Sequence, residues 1–373
     1  MVSARPRKPA STSAGDRARR AHQVVGALHP GDAVGREALA IRSHLREAGY
    51  ESEVFAGFVD PMLGVEAHPL SEHSACDGAD AACVYHFSPG SPAGRVALQA
   101  RGPLAVVYHN VTPARFFAGW SDESARLAAR ADGELRELAG RAALGLAKSA
   151  FSRRDLETAG FAASSVMPFI HDPGPPPARS PVFERLYDDG RRHVLAVGRL
   201  APNKRLEDVL RAFALLQRGP VPRSRLLLVG DDSLHAYADG LRALARSLRL
   251  REVVFCGRVE EDELRSAYAL ADVLVSLSEH EGYGVPLVEA MLAGVPVVAY
   301  DAGAVAETMA GAGVLLREKS PETVAGVIES LLGDESLRAA VLAAQERVAV
   351  RVRATDYRAL VLGALAPVLE AKP

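Results

Sequence analysis

The chain has 373 residues, a length that predicts two domains of ordinary size rather than one hydrophobic core. A formal net charge of −2 excludes a general attraction to nucleic acid, and the 6% aromatic content argues against base-stacking surfaces. Three cysteines without a CxxC pair indicate neither a disulfide framework nor a zinc ribbon, so a reducing cytoplasm is the expected location.

The first 20 residues combine basic side chains with serine, alanine and proline, without the apolar run of a signal peptide. We expect residues 1–20 to be a disordered basic tail. The alternative is a weak peripheral contact with an anionic membrane surface, to which each basic residue would add about 1 kcal/mol. No stretch of the chain has the roughly 18 uninterrupted apolar residues of a membrane-spanning helix.

From residue 23 onward, short β-branched runs alternate with longer helical patterns, which is typical of βαβ units and parallel sheets. The first strand, at residues 24–28, leads through a glycine-bearing loop into a helix with Ala38, Ile41 and Leu45 on one face. A long helix is predicted at residues 121–141. Further strands are predicted at residues 53–56, 82–86, 104–108, 144–150 and 165–168. Residues 21–172 are therefore predicted to form an N-terminal Rossmann-like domain.

The proline density of residues 173–185 predicts an interdomain linker, because proline is excluded from helix interiors and central strands. A second βαβ series, at residues 186–352, predicts a C-terminal Rossmann-like domain. Its strands are predicted at residues 193–197, 225–229, 253–256, 273–276 and 296–300. Residues 353–373 are predicted to form a helix that packs back toward the N-terminal domain. The expected fold class is α/β, with two doubly wound domains facing a central cleft.

The stretch from Glu281 to Glu289 is the most informative part of the sequence. Two carboxylates separated by seven residues bracket a glycine-punctuated turn and the start of a helix. Gly282 and Gly284 permit positive φ and a close ligand approach, and Pro286 suits the first helical turn. Free amides at that helix start favour a phosphate, and the carboxylates accept hydrogen bonds from hydroxyls. Phosphate and hydroxyls together indicate a sugar nucleotide.

Arg199 and Lys204 lie in one strand-to-helix loop of the second domain. Two cations there could neutralise a diphosphate leaving group without a metal ion, whereas the alternative is a pair of ordinary surface charges. No DxD-like pair ends a predicted strand, so a bridging metal is not expected. The nearest acidic pair, Asp231 and Asp232, is expected to cap a turn.

Three further strand-end loops are candidates for the same cleft. His109 follows the strand at residues 104–108 and is either structural or a hydrogen-bond donor to the sugar or the forming oxocarbenium region, and its position favours the second role. Gly31 and Gly35 do not form a GxGxxG motif, so their loop either offers amides to a phosphate or acceptor, or is a simple turn. The strand end that carries Arg258 either contacts a base edge through its backbone or is structural. Glu307 is expected only to shape a helix start.

Over about residues 24–369 the chain resembles the retaining GT-B glycosyltransferases of glycosyltransferase family 4. The segment from His280 to Glu289, with residues 290–298 after it, resembles that family's E-x7-E signature. Val197-Gly198-Arg199 with Lys204 resembles its diphosphate clamp. The resemblance implies an acceptor-binding N-terminal domain and a C-terminal domain that binds the donor.

The resemblance also implies individual roles. Glu281 would bind hydroxyls of the donor sugar, and Glu289 would bind the ribose. The amides of Tyr283, Gly284 and Val285 would hold sugar and phosphate. His109 matches the family's active-site histidine, and residues 255–259, with Arg258, match its base-contacting strand end.

This chain departs from the family pattern at three places. Residues 29–35 lack the family's usual Gly-Gly pair, which leaves open which amide of that loop meets a phosphate or the acceptor. Tyr283 stands where phenylalanine is commoner, and Gly303-Ala304 stands where Gly-Gly precedes the late glutamate. None of the departures removes a predicted catalytic group.

The expected activity is retaining, metal-independent transfer of a hexose from a UDP- or GDP-type sugar to a hydroxyl acceptor. Polysaccharide, glycolipid and secondary-metabolite glycosylation are the expected settings, with no cofactor beyond the sugar-nucleotide co-substrate and no nucleic-acid partner. Two alternatives stay open: a GT-B nucleotide-sugar epimerase, and a non-catalytic sugar-nucleotide-binding protein. The complete set of Arg199, Lys204, Glu281 and Glu289 argues against the second alternative.

Overall fold

A computed structural model describes residues 19–63, 67–171 and 178–371. Two parallel sheets form the centres of two α/β domains, and this confirms the predicted fold class. Residues 1–18 of the predicted basic tail and residues 173–177 of the predicted linker lie outside the described residues. Among the residues that are described, no helix combines the length and apolar character needed to cross a membrane.

Seven parallel strands form the N-terminal sheet. They are β1 (Arg20–Val25), β2 (Val54–Ala56), β3 (His68–Pro69), β4 (Ala81–His86), β5 (Leu104–Tyr108), β6 (Leu144–Ala147) and β7 (Ser164–Val166). Their order is β3-β2-β1-β4-β5-β6-β7, with the crossover between β1 and β4 that is typical of a doubly wound domain. The helices are α1 (Ala33–Glu47), α2 (His73–Cys76), α3 (Pro92–Gln99), α4 (Asp122–Ala139) and α5 (Ala150–Ala159).

The first helix begins where its sequence provides a cap. The Asp32 carboxylate accepts a 2.9 Å hydrogen bond from the amide of Gly35, which is a typical N-cap contact. Ala38, Ile41 and Leu45 are fully buried against the sheet, as their spacing predicts. The helix is therefore held at its start by polar bonding and along one face by apolar burial.

Six parallel strands form the C-terminal sheet, in the order β10-β9-β8-β11-β12-β13. They are β8 (Arg192–Val197), β9 (Ser224–Val229), β10 (Val253–Gly257), β11 (Val273–Ser276), β12 (Val297–Tyr300) and β13 (Val314–Leu316). The remaining helices are α6 (Pro181–Tyr187), α7 (Leu206–Arg218), α8 (His235–Ser247), α9 (Glu261–Leu270), α10 (Val285–Leu292), α11 (Val305–Met309), α12 (Pro321–Gly333), α13 (Glu335–Arg353) and α14 (Tyr357–Leu369). Short 3-10 turns occur at Ala114–Phe116 and Pro202–Lys204.

The structure differs from the predicted linker at its C-terminal end, because α6 begins inside residues 173–185. Pro181 occupies the first helical position, where its missing N–H costs nothing. The Ser180 hydroxyl caps the helix by accepting from the amide of Phe183, and that ring packs in the core with Leu195 and Leu227. Residues 181–185 therefore belong to the C-terminal domain.

The last helix, α14, packs on the N-terminal domain. Its buried side chains Val361, Leu365 and Val368 join a core cluster with Ile41 of α1 and Val107 of β5. The chain therefore returns to its first domain after completing the second, so the two domains are connected twice.

Candidate functional site

The glycine loop between β11 and α10 lies at the carboxyl edge of the second sheet. Gly284 has a φ of +94° and directly precedes α10, so the loop turns straight into the start of that helix. The loop after β12 fixes the backbone of Glu281, whose carbonyl accepts a 2.9 Å hydrogen bond from the amide of Ala304. At Gly303, with a φ of +61°, a Cβ would collide with the Glu281 backbone. Glycine at 303 thus permits the close approach that fixes Glu281.

Lys204 and Glu281 form an ion pair at the mouth of this loop. The Lys204 Nζ atom lies 2.6 Å from Glu281 Oε1. Asn203 connects the two loops, since its Nδ2 donates to the His280 carbonyl at 3.1 Å and its own carbonyl accepts from the amide of Glu279 at 2.8 Å. The residues predicted for the diphosphate and for the sugar therefore meet at one point.

Arg199 and Arg258 extend the positive surface of the same domain. The exposed Arg199 guanidinium lies 5.7 Å from the centre of the Phe117 ring, which belongs to the N-terminal domain. Arg258 pairs with Asp231 at 3.2 Å, and Asp231 also accepts from the Ser233 hydroxyl. Asp231 is therefore engaged by a cation and a turn hydroxyl of its own domain.

Glu289 lies one turn inside α10, and each of its carboxylate oxygens accepts a hydrogen bond from another side chain. Its Oε1 accepts from Arg36 at 2.8 Å, and its Oε2 accepts from the Tyr268 hydroxyl at 2.8 Å. Arg36 comes from the first turn of α1, so this pair crosses between the domains. Arg36 was not predicted from the sequence. The available signal was its place in the first turn of a helix, where the helix dipole disfavours a cation unless it has a partner elsewhere.

The loop of Gly31 and Gly35 does not offer the Gly35 amide to a ligand, although its glycines suggested an amide site. Gly31 has a φ of +68° and makes the turn before α1. The Gly35 amide already donates to the Asp32 carboxylate, so it is not available to a phosphate in this structure. The loop reaches the cleft through the side chain of Arg36 instead.

His109 lies behind the cleft with both ring nitrogens facing buried protein groups. Its Nε2 is 3.0 Å from Nδ1 of His86, and its Nδ1 is 3.4 Å from Oε2 of Glu37. Lys148 Nζ lies 2.7 Å from the same Glu37 oxygen. Strand register explains the cluster: His86 pairs with Val107, so the ends of β4 and β5 are adjacent, and β5 and β6 end together just before His109 and Lys148.

Burial determines the charges in this cluster. It lowers the pKa of His109 well below its ordinary value, and the nearby Lys148 ammonium lowers that pKa further. The pKa of His86 is lowered to about 3 by the same two causes, so both rings are neutral near pH 7. Glu37, His86 and Lys148 were not predicted. The available signals were a glutamate on the apolar face of α1 and a lysine directly after a buried strand.

The N-terminal domain contacts the donor loop directly. The Gly282 carbonyl accepts from the hydroxyls of Ser149 at 2.7 Å and Ser152 at 3.0 Å. A Cβ at Gly282 would collide with Asn110, whose φ is +71° and whose Oδ1 lies 2.5 Å from Nε2 of His280. The close approach of the two domains therefore explains this glycine.

Glu307 also bonds across the domains rather than at its own helix. Its carboxylate accepts from the amides of Ala150, at 2.7 Å, and Phe151, at 3.3 Å. It therefore caps the start of α5 in the N-terminal domain. The sequence suggested only that Glu307 shapes the start of its own helix.

Comparison with known proteins places this geometry in context. Residues 182–347, less than half of the chain, match the family model described as glycosyl transferases group 1. The D-inositol 3-phosphate glycosyltransferase of Kineococcus radiotolerans is 35% identical over 45% of this chain and 42% of its own length. The GDP-mannose-dependent alpha-(1-6)-phosphatidylinositol monomannoside mannosyltransferase of Mycobacterium tuberculosis is 32% identical over 45% and 46%. The chain thus spans less than half the length of these curated relatives.

Solved structures match almost the whole chain. Sucrose-phosphate synthase from Thermosynechococcus elongatus has a TM-score of 0.70 at 18% identity, covering 93% of this chain and 97% of its own. Anabaena HepE, in complex with UDP-glucose, has a TM-score of 0.69 at 21% identity, covering 92% and 100%. The chain has the GT-B fold. In this GT-B chain, Arg199, Lys204, Glu281 and Glu289 fall within the matched family segment, whereas Arg36 and His109 lie outside it.

Proposed function

We propose that this GT-B protein is a retaining, metal-independent glycosyltransferase that moves a hexose from a nucleoside-diphosphate sugar to a hydroxyl acceptor. The observation that carries the proposal is the 2.6 Å contact of Lys204 with Glu281 beside the glycine-led start of α10. That arrangement offers a cation, a carboxylate and helix-start amides to one ligand. The matched family model and the names of the curated relatives support glycosyl transfer.

In the proposed reaction, Glu281 accepts hydrogen bonds from the donor sugar's hydroxyls. The diphosphate draws Lys204 away from Glu281 and lies between Lys204, Arg199 and the amides at Val285. These groups are already in place before the bond breaks, so they stabilise the charge that develops on the leaving phosphate with little reorganisation. The amide of Tyr283 lies on the sugar side of the same turn.

We further propose a front-face course, in which the acceptor hydroxyl passes its proton to the departing phosphate. Without a donor, each of three carboxylates near the cleft has a basic partner: Glu281 has Lys204, Glu289 has Arg36, and Glu37 has Lys148. We assign the nucleophile's role to none of them, because Glu281 and Glu289 bind hydroxyls in the proposed complex and Glu37 is buried behind the cleft. We assign Glu289 to ribose recognition, in which the ribose replaces Arg36 while the Tyr268 hydroxyl holds the carboxylate in place.

A donor screen tests the proposal. Thermal shifts of the full chain with UDP, GDP, ADP and TDP sugars should identify one nucleotide, since a ligand at one hundred times its Kd adds about 2.7 kcal/mol of stability. Turnover with acceptor mixtures should then yield a product with the donor's anomeric configuration, and chelator should leave the rate unchanged. Conversion of the donor without acceptor would identify an epimerase, and binding without turnover would identify a binding protein.

We expect the protein to act in the cytoplasm. Cys83 and Cys256 are free thiols, and burial raises the pKa of the Cys83 thiol to about 12, so it is unreactive. A peripheral membrane contact through the basic tail remains part of the proposal, and residues 1–18 of that tail lie outside the described residues. Removing residues 1–18 and measuring sedimentation with anionic vesicles tests this contact.

A further inference from the structure

A continuous chain of buried polar side chains runs behind the cleft. Gln23, His86 and Glu37 are fully buried, and Lys148 is 2% exposed. Gln23 lies 3.0 Å from Nε2 of His86, and the next contacts join His86 to His109, His109 to Glu37 and Glu37 to Lys148. The amide of Ile170, in the segment that leaves the N-terminal domain, also donates to Glu37 at 3.3 Å.

Two neutral arrangements of the ring protons satisfy the contacts of His86 with His109 and Gln23. The Glu37 carboxylate, 3.4 Å from Nδ1 of His109, selects between them, because its charge attracts a ring proton and repels a ring lone pair. The Glu37 carboxylate can only accept, so Nδ1 of His109 carries its proton and Nε2 accepts from His86. The other nitrogen of His86 must then accept from the amide group of Gln23. That orientation gives the Gln23 amide nitrogen a partner and turns the oxygen to the position where the nitrogen had none among the described residues.

We propose that Glu37 and Lys148 are positioning residues that hold His109 as its neutral Nδ1–H tautomer. The inference rests on the proposed function, because the backbone after His109 touches the donor loop. Asn110 bonds to His280 and packs on Gly282, so a fixed His109 ring keeps the end of β5 against that loop. His109 therefore acts on the donor site through its main chain and its neighbour, and not through a ring nitrogen.

A metal ion is the competing interpretation, since Glu37, His86 and His109 offer ligand atoms within 4.8 Å of one another. Two contacts argue against it. The Lys148 ammonium, 2.7 Å from Glu37, already supplies the cation that compensates this carboxylate. The two histidines also bond to each other, which uses a ring nitrogen of each.

The test compares two double variants of the full chain. Glu37→Met with Lys148→Met removes both charges and the acceptor for Nδ1–H. Glu37→Gln with Lys148→Met removes both charges but keeps a carbonyl acceptor. Single variants are avoided, because a lone buried charge destabilises the fold. Thermal melting first establishes that both variants are folded.

Nitrogen-15 spectra of histidine-labelled protein give the deciding measurement, with His109 assigned by its loss in His109→Gln. In the wild type we expect protonated Nδ1 and unprotonated Nε2 from about pH 5 to about pH 8. The Glu37→Gln pair should keep this tautomer, and the Glu37→Met pair should lose it. An imidazolium or an Nε2–H ring in the wild type, or an unchanged tautomer in the Glu37→Met pair, overturns the proposal.

Kinetics then connect the tautomer to the reaction. The Glu37→Met pair should lower kcat about tenfold with donor KM nearly unchanged, and the Glu37→Gln pair should retain most of kcat. Equal kcat values for wild type and the Glu37→Met pair, despite a changed tautomer, overturn the positioning role. Absence of turnover in the wild type would instead contradict the proposed function, and the nitrogen spectra would still decide the tautomer.

Discussion

Lys204 and Glu281 form an ion pair, so replacing one of them removes the charged partner of the other. Replacing either by alanine removes a group that we expect to contact the donor and leaves its partner without the ion pair. We predict that Lys204→Ala and Glu281→Ala each lower kcat/KM about 10²-fold, the scale of one preorganised charged contact. Steady-state turnover with the donor identified by the screen provides the measurement.

Arg153 and Glu157 offer a matched control for this pair. They form an ion pair at 2.9 Å on α5, with side chains 43% and 49% exposed. Such surface pairs contribute about 0–1 kcal/mol, so Arg153→Ala and Glu157→Ala should keep wild-type turnover. Wild-type turnover in the Lys204 and Glu281 variants as well would contradict the roles proposed for them.

His171 gives the protein a sensitivity to acid. It is buried beside Phe169 and Tyr283, and burial lowers its pKa to about 4, with Arg36 adding to the shift and Glu289 opposing it. Because this pKa lies below that of the unfolded chain, the stabilisation is complete above about pH 6.5 and is lost as the pH falls toward about 4.

We therefore predict that the free energy of unfolding loses about 1.4 kcal/mol per pH unit through His171 over that range. His171→Phe keeps an aromatic ring in the cluster and removes the titrating group. Urea unfolding followed by circular dichroism should show a shallower pH dependence for the variant. The number of protons taken up on unfolding should be smaller by nearly one. Identical slopes for the two proteins would exclude His171 as a source of the acid sensitivity.

At the residue scale, the sequence predicts groups whose partners are near in the chain or follow a spaced motif. Glu281 and Glu289 are separated by seven residues, and Arg199 and Lys204 share one loop. The cluster around His109 could not be predicted, because its members come from α1, β4, β5 and β6 and meet only through strand register. Arg36 was missed for the same reason, since its partner Glu289 lies in the other domain.

The capping of α5 by Glu307 shows how one helix depends on the other domain. The carboxylate accepts from two amides at the helix start, where free N–H groups and the helix dipole favour an anion. We predict that Glu307→Ala lowers the free energy of unfolding by about 1 kcal/mol and speeds hydrogen exchange in the first turn of α5.

Ser320→Ala is the control, because this hydroxyl caps α12 inside the C-terminal domain by accepting from Thr323 at 3.2 Å. It should reduce stability by a similar amount and leave exchange in α5 unchanged. If Glu307→Ala leaves exchange at Ala150 and Phe151 unaltered, the interdomain cap contributes nothing in solution.

At the element scale, the long periodic segments and most of the strands were predictable. The helix predicted at residues 121–141 appears as α4, and the main strands appear within a few residues of their predicted bounds. Strand β3, with two residues, is too short for a periodic pattern, and β13, with three, was also missed. Helix α6 was hidden by the prolines before it, of which Pro181 begins the helix.

At the scale of the whole molecule, several contacts hold the two domains together around the cleft. Trp120 of the N-terminal domain packs edge-on against Tyr237 of α8, with ring centres 5.1 Å apart. Asn110 meets His280, and Arg36 meets Glu289. The last pair occupies a carboxylate oxygen that we assign to the ribose, so donor binding and the interdomain contact compete for Glu289.

This competition makes Arg36 the decisive residue for a test of donor entry. Arg36→Met keeps an aliphatic chain beside Phe169 and removes the bond to Glu289. The ribose then no longer displaces a charged partner, so we predict up to about tenfold tighter binding of the nucleoside diphosphate, equivalent to about 1.4 kcal/mol. Titration calorimetry measures the change, with Arg126→Met on the exposed face of α4 as the control. Weaker binding by Arg36→Met would contradict the competition and mean that the Arg36 cation attracts the nucleotide.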